Sequence, residues 1–319
     1  MHSIIIQTLL DNLPAHRPSV SGWQSFNAPC CDHRGHNHDR RKRGGVKLTP
    51  TGVVYNCFNC HYTTGYTVGS GFGIKFRRLL IWLGVSATEV NALKIHALRE
   101  RELYAEPDTE PAPILEIVPR DLPDHSVLLD QHQHPEYWKY LQNRGLDPAG
   151  YSYFVSTELA RRVIVPFTFQ DNLVGYTARS IGAQRPKYLQ SLAMPYIFGA
   201  DLQHRDWTWC PVMEGVFDAL SVGGCATLGN EVSEAQAEQL DALDRTVVIV
   251  PDQDRAGDEL VQAAIDYGWS VSWCDWPAGI KDVNDAVVHY GALFVTRHIW
   301  ASRVTGTTQI KLRRKLRKH

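Results

Sequence analysis

The chain has 319 residues, 44% of them hydrophobic and 21% charged, with a formal net charge of −1. That length allows two or three domains, each with its own core, and the composition is that of an ordinary globular chain. No apolar run reaches the length that crosses a bilayer, and net charge alone makes no case for a nucleic-acid binder.

At the start, Met1-His2-Ser3-Ile4-Ile5-Ile6 lacks a basic region and Asp11 interrupts the apolar stretch. No signal peptide is therefore expected, and the expected location is the cytoplasm, that of the host if the protein is viral. Charge is zoned. Arg40, Arg41, Lys42, Arg43 and Lys47 make one basic segment and Lys311 to Lys318 another, whereas acidic residues gather at 102–110 and between 214 and 285. Such zoning suits a protein that grips phosphates in one place and divalent cations in another.

Seven cysteines are present, and four fall in two close pairs, Cys30/Cys31 and Cys57/Cys60. Outside an oxidising compartment, such pairs read as metal ligands before disulfides. Cys30-x-x-His33 and Cys57-Phe58-Asn59-Cys60 give the two ligand pairs of a structural zinc ribbon: Cys30, His33, Cys57 and Cys60. Cys31 competes with Cys30, and His36 and His38 compete with His33. Four thiolate or imidazole ligands suit tetrahedral Zn2+ and leave no position for a catalytic water. Arg40 to Arg43 lie between the pairs, with Tyr55, Phe58 and Tyr62 nearby. Basic groups beside aromatics are the ingredients of a single-strand binding surface, with Arg41 and Arg43 as candidate contacts. Cys210, Cys225 and Cys274 sit in apolar surroundings and read as small buried hydrophobes.

A helical stretch is expected from Phe76 to Leu98. Residues 101–125, rich in Glu, Asp and Pro, read as an extended linker. From about 126, strands alternate with helices. Val163 to Phe167 pairs with Leu173 to Thr177 across a turn at Asp171-Asn172. Val212-Met213 leads into a helix starting near Val216, and Thr246 to Val250 is a continuous apolar run, as in a buried parallel strand. A helix from about Ala256 to Tyr267 and a strand at Ser270 to Trp273 complete an α/β layer.

Three acidic patches close these strands: Glu214-Gly215-x-x-Asp218, Asp252-Gln253-Asp254-Arg255-Ala256-Gly257 and Lys281-Asp282-Val283-Asn284-Asp285. The carboxyl ends of parallel strands share one edge, where ligands bind. Carboxylates delivered there would converge on hard cations such as Mg2+ or Mn2+, the arrangement that serves in-line phosphoryl displacement.

At these residues the C-terminal block resembles a TOPRIM domain. The segment before it, Arg162 to Phe167, Gly175-Tyr176-Thr177-Ala178-Arg179 and Arg185-Pro186-Lys187-Tyr188-Leu189-Gln190-Ser191, resembles the basic subdomain of bacterial and phage primases. Tyr140 to Leu146 resembles that family's helix ending in Arg-Gly. The resemblance covers roughly residues 25–290, with zinc ribbon, basic subdomain and TOPRIM in the primase order and a compact, phage-like layout. It departs in having Asn284 where many relatives have a second Asp.

The resemblance implies that Glu214 is a general base or metal ligand, that Asp252 and Asp254 are principal ligands, and that Asp282 is auxiliary. Asp218 would support them, and Asp285 would share the role of the third patch. Arg162, Arg179 and Lys187 would hold template or nucleotide phosphates. The implied activity is primer RNA synthesis on single-stranded DNA from nucleoside triphosphates, with structural Zn2+ and catalytic Mg2+ or Mn2+. A TOPRIM nuclease, a topoisomerase relative and a non-catalytic zinc-dependent single-strand binder are the alternatives.

No Gly-x-x-x-x-Gly-Lys-[Ser/Thr] phosphate loop occurs in the sequence, so any helicase of the primosome is expected to be a separate partner. No membrane partner is expected. The basic tail is expected to be a DNA-binding or partner-docking extension or a frayed end. The expected fold class is α+β and multi-domain: a small antiparallel β zinc ribbon, then an α/β polymerase domain. Its divisions are residues 1–100 (zinc ribbon), 101–125 (linker), 126–205 (basic subdomain), 206–300 (TOPRIM) and 301–319 (tail).

Overall fold

The computed structural model describes residues 3–34, 36–104, 118–192, 195–204, 206–252 and 257–317. The chain divides into two units. One comprises Met1–Ile114, Ile265–Gly268 and Gly306–His319, and the other Leu115–Ala264 and Trp269–Thr305.

The first unit runs α1 (Ile4–Asp11), β1 (Arg17–Pro18), β2 (Trp23–Phe26), α2 (Cys30–His33), β3 (Gly44–Leu48), β4 (Gly52–Cys57), β5 (Thr63–Thr67), α3 (Ile74–Trp82) and α4 (Ala87–Tyr104). The five strands form an antiparallel meander in chain order. Side chains alternate across a strand, and along β4 Val53, Tyr55 and Cys57 are buried while Val54 is exposed. The buried face joins Ile5, Leu9, Phe26, Phe76, Leu79 and Leu93 in one core.

The helix expected over Phe76 to Leu98 is two helices. Gly84, at φ +102°, takes a conformation that glycine adopts without a side-chain clash, and the chain turns there between α3 and α4. The second helix runs on to Tyr104, inside the segment expected to be linker. Its Glu100 is held by Ser3 Oγ at 2.9 Å and Tyr66 Oη at 2.7 Å. The rest of that linker up to residue 117 lies outside the described residues. The basic tail forms α11 (Thr307–Arg317), anchored by the buried Ile310.

In the second unit, β6 (Val127–Leu128), α5 (Pro135–Asn143), β7 (Phe154–Val155), β8 (Arg162–Phe169), β9 (Asn172–Ser180) and β10 (Tyr188–Leu192) come first. Their strands make an antiparallel sheet in the order β10-β9-β8-β7-β6. The β8–β9 hairpin turns at Gln170 and Asp171, both at positive φ, one residue earlier than the sequence suggested. Two consecutive positive-φ residues match the right-handed twist of the flanking strands.

There follow β11 (Trp209–Met213), α6 (Val216–Val222), β12 (Cys225–Ala226), α7 (Glu234–Ala242), β13 (Thr246–Ile249), α8 (Gly257–Tyr267), β14 (Ser270–Ser272), α9 (Val283–Tyr290), α10 (Ala292–Ala301) and β15 (Arg303–Val304). These strands form a second sheet, β12-β11-β13-β14-β15, parallel except for β15. Phe167 and Val174 of the first sheet share a core with Met213, Val248, Phe217 and Val287 of the second layer. That shared core sets the basic hairpin beside the carboxyl ends of the parallel strands. No helix among the described residues is long and apolar enough to cross a membrane.

Candidate active site and metal centre

Glu214 follows the last residue of β11, Asp252 lies just beyond β13, and Asp282 caps α9. Parallel strands end on a common edge, so three stretches far apart in sequence meet there. Glu214, Asp218, Asp252 and Asp282 line one cavity of about 290 Å3. Asp218 reaches it from the first turn of α6. Gly215 makes room, since a Cβ there would stand 2.6 Å from Asp218 Oδ2.

Asp218 is held on its other side by the Asn284 backbone N–H, which donates to Oδ1 at 2.9 Å. Burial, with Asp282 and Asp252 close by, pushes the Asp218 carboxyl up to about 7. Clustered carboxylates raise one another's pKa because each disfavours ionisation of the next. Oxygen-only donors facing a cavity are what a hard divalent cation takes. These residues therefore fit Mg2+ or Mn2+, although no three of the described carboxylates lie within 4.8 Å of one another as the four cysteine sulfurs do.

Part of the lining is basic. Arg144, Arg179 and Lys187 line the same cavity with Thr177, Tyr188 and Gln190. Arg179 and Tyr188 are cross-strand neighbours on β9 and β10, which lays the guanidinium over the Tyr188 ring at 4.7 Å. The Phe217 ring flanks it at 4.9 Å. Its Nε donates to Tyr140 Oη at 2.6 Å. Burial, and then the neighbouring Arg144, lower the Arg179 pKa. Lys187 is lowered by burial and then by Arg179 and Arg144. Three cations held at a cost against one another gain from any phosphate that enters between them.

Other expected site residues stand elsewhere. Arg162 does not face the cavity. It is buried, and its guanidinium donates to the carbonyls of Ala178 at 3.2 Å, Lys187 at 3.3 Å and Pro186 at 2.6 Å. An inward position at the start of β8 leaves it no solvent, so it pins the hairpin instead of holding phosphate. Asp285 is not among the residues lining the cavity; its backbone N–H donates to Asp282 Oδ1 at 2.7 Å and its carboxylate lies 3.5 Å from Arg144 Nη1. Asp254 lies outside the described residues.

Arg144 and Asn284 were not among the sequence candidates for the site. The signal for Arg144 was the Arg-Gly pair closing α5, where Gly145 at φ +66° ends the helix. Asn284 is fully buried and its Nδ2 donates to the Arg144 carbonyl at 2.7 Å. An ionised aspartate there could not make this bond.

In the first unit the thiols of Cys30, Cys31, Cys57 and Cys60 lie within 4.8 Å of one another, all buried. Sulfur separations are 3.3 Å for Cys30–Cys60 and 3.5 Å for Cys31–Cys57. Tetrahedral zinc with bonds of about 2.3 Å would set its sulfurs roughly 3.8 Å apart, so the donor set fits that ion. The four-donor cluster thus includes Cys31 and not His33, and Cys30 and Cys31 both belong to it. Both sit in the first turn of α2 and reach inward, while His33 turns out to stack on Trp82 at 5.2 Å. His36 and His38 stay exposed, with His38 2.7 Å from Asp32.

The sulfurs are already polarised. Sharing protons with Cys57 and Cys60, together with burial, holds the Cys30 thiol up. Bonds from Cys30 and Cys60, with the Cys60 and Asn59 amides, push Cys57 down. Asn59 Nδ2 donates to Cys31 Sγ at 3.1 Å, and Tyr55 Oη lies 3.1 Å from Cys30 Sγ.

Residues 211–287 match a family model described as Toprim-like, so the second unit is built on a Toprim-like domain. A DNA primase of Halalkalibacterium halodurans is 29% identical over 151 residues, 41% of this chain and 25% of that protein. The structure of the DnaG catalytic core aligns with a TM-score of 0.47 at 17% identity, covering 57% of this chain and 77% of that one. The E. coli primase catalytic core aligns with a TM-score of 0.43 at 19% identity, covering 58% and 65%. The likeness drawn from the sequence motifs, to bacterial-type DNA primases, is thus shared by the curated relative, and the Toprim-like match falls on the block likened to TOPRIM. The chain spans about a quarter of the length of that primase.

Proposed function

We propose that this protein is a DNA primase that makes short RNA primers on single-stranded DNA from nucleoside triphosphates. One observation carries the reading: carboxylates from two strand ends (Glu214, Asp252) and two helix starts (Asp218, Asp282) line a single cavity with three cations from the neighbouring hairpin and the end of helix α5. A triphosphate needs cations along its oxygens, and nucleotidyl transfer needs charge stabilised at both the attacking and the leaving oxygen. Arg179, Lys187 and Arg144 would hold the phosphates in place. Glu214, Asp218, Asp252 and Asp282, with Asp254, would hold Mg2+ or Mn2+, which when bound activates a 3′-hydroxyl and neutralises departing pyrophosphate. Asp285 would orient Arg144. The zinc-bearing unit would bind template, and a separate replicative helicase would deliver it.

The test is synthesis of labelled RNA on single-stranded templates with Mg2+ or Mn2+. Asp252→Ala should lower synthesis by at least about 100-fold, the range for losing a group that stabilises transition-state charge. Lys187→Ala should raise KM for nucleotides. Undiminished synthesis by Asp252→Ala, or degradation of the template without any primer, would refute the reading.

A further inference from the structure

The turn between Cys57 and Cys60 closes on its sulfurs, and its two middle residues are treated differently. Asn59 folds back, its Nδ2 on Cys31 Sγ at 3.1 Å. Phe58 points outward and is 70% exposed. Of the three aromatics in this segment, Tyr55 and Tyr62 are buried in the core, at 0% and 3%, so neither can meet a ligand. A phenyl ring left in water on a turn made rigid by its cysteines forgoes burial that most Phe side chains obtain.

The adjoining basic loop is equally ordered. Asp39 is fully buried, and its carboxylate accepts from the backbone N–H groups of Ala28 at 3.0 Å, Arg41 at 3.0 Å and Arg43 at 2.7 Å. It also accepts from Arg43 Nε at 3.0 Å. Arg43 is therefore occupied, and the loop is drawn tight around one carboxylate. The Phe58 N–H donates to the Arg43 carbonyl at 3.0 Å, which ties the ring to the loop. Asp32, the other carboxylate nearby, faces His38 at 2.7 Å. Both acids thus have partners inside the segment, while the side chains of Arg40 and Arg41 are exposed. An outward ring beside outward guanidinium groups complements a strand of phosphates with unstacked bases.

We infer that Phe58 stacks on a base of single-stranded DNA while Arg40 and Arg41 hold the flanking phosphates, with Asp39 as the positioning residue of the loop. The choice of DNA rests on the primase reading. A duplex offers no open base face and an acidic protein surface offers no base, so both serve as controls.

The experiment uses the full zinc-loaded chain and a short fluorescein-labelled single strand, read by anisotropy over a salt series. Phe58→Ala should weaken binding roughly 10-fold or more, with zinc content and the salt slope unchanged. Phe58→Leu, which keeps apolar bulk without a π face, should lose nearly as much, and Phe58→Trp should retain affinity. Arg41→Ala should reduce the salt slope by about 0.7, one phosphate of a single strand.

Binding by Phe58→Ala within about two-fold of the parent at full zinc content overturns the inference, given that stacking contributes more than this. So does a Phe58-dependent affinity for duplex or for an acidic polypeptide equal to that for the single strand. Primer synthesis measured in parallel separates the two ideas. A parent that makes no primer yet binds through Phe58 fails the primase reading alone, and a primer-making parent indifferent to Phe58 fails this inference alone.

Discussion

Replacing Asp218 by Asn should make the second unit more stable at alkaline pH, and the gain can be worked from the site. An unfolded Asp titrates near 3.8, whereas burial and the neighbouring Asp282 and Asp252 push the folded carboxyl to about 7. Between these values the folded state holds a proton that the unfolded chain has lost. Stability therefore falls as pH rises through this window, and the penalty is complete above about 7. Three pK units correspond to about 4 kcal/mol, a ceiling because water in the cavity screens part of it.

The side-chain amide of Asp218→Asn would keep the acceptor that meets the Asn284 N–H and would carry no charge. The stability gap in favour of this variant should widen by at most about 1.4 kcal/mol per pH unit from about pH 4 to 7 and then stay flat. Urea unfolding followed by tryptophan fluorescence at several pH values measures it. Added Mg2+ should stabilise the parent more than the variant and narrow the gap at alkaline pH. A gap independent of pH, or one that opens only well above neutrality, would refute the account of Asp218 as a carboxyl strained by its neighbours.

Cys31→Ser should abolish stoichiometric zinc binding and His33→Ala should leave one zinc per chain, as metal analysis after gel filtration would show. Chelation should unfold the first unit, since structural zinc supplies on the order of 10 kcal/mol to a small site; circular dichroism reads the loss. Asn284→Asp, which restores the residue common in the resembled family, should cost about 2–4 kcal/mol in urea unfolding at mildly alkaline pH. It places a charge beside Asp218 and removes the donor to the Arg144 carbonyl. An unchanged midpoint would show that the amide is dispensable.

Local chemistry in the sequence was enough to mark Glu214 and Asp252 just after their strands and to mark the two cysteine pairs; the third patch, expected at a strand end, instead opens helix α9 at Asp282, well beyond β14. Apolar runs such as Thr246 to Val250 mark buried strands, and a charge directly after a strand in a parallel sheet has one edge to occupy. Those inferences use only period and neighbours along the chain. The choice of Cys31 over His33 could not be made that way. Cys31 follows Cys30 directly and His33 lies within the same turn, and which one faces the other pair depends on how a single helical turn is rotated against the β4–β5 connection.

Arg162 and Arg144 show the same limit in opposite directions. One stands in the basic segment yet is spent on three backbone carbonyls, because its strand position faces inward. The other lies distant in sequence from the acidic patches and reaches the cavity, because α9 packs with Asn284 against the end of α5. Residue type and spacing along a strand or turn set what a side chain can do. Its direction, and the partners that consume it or leave it available, come from packing between segments far apart in the chain, which no local pattern encodes.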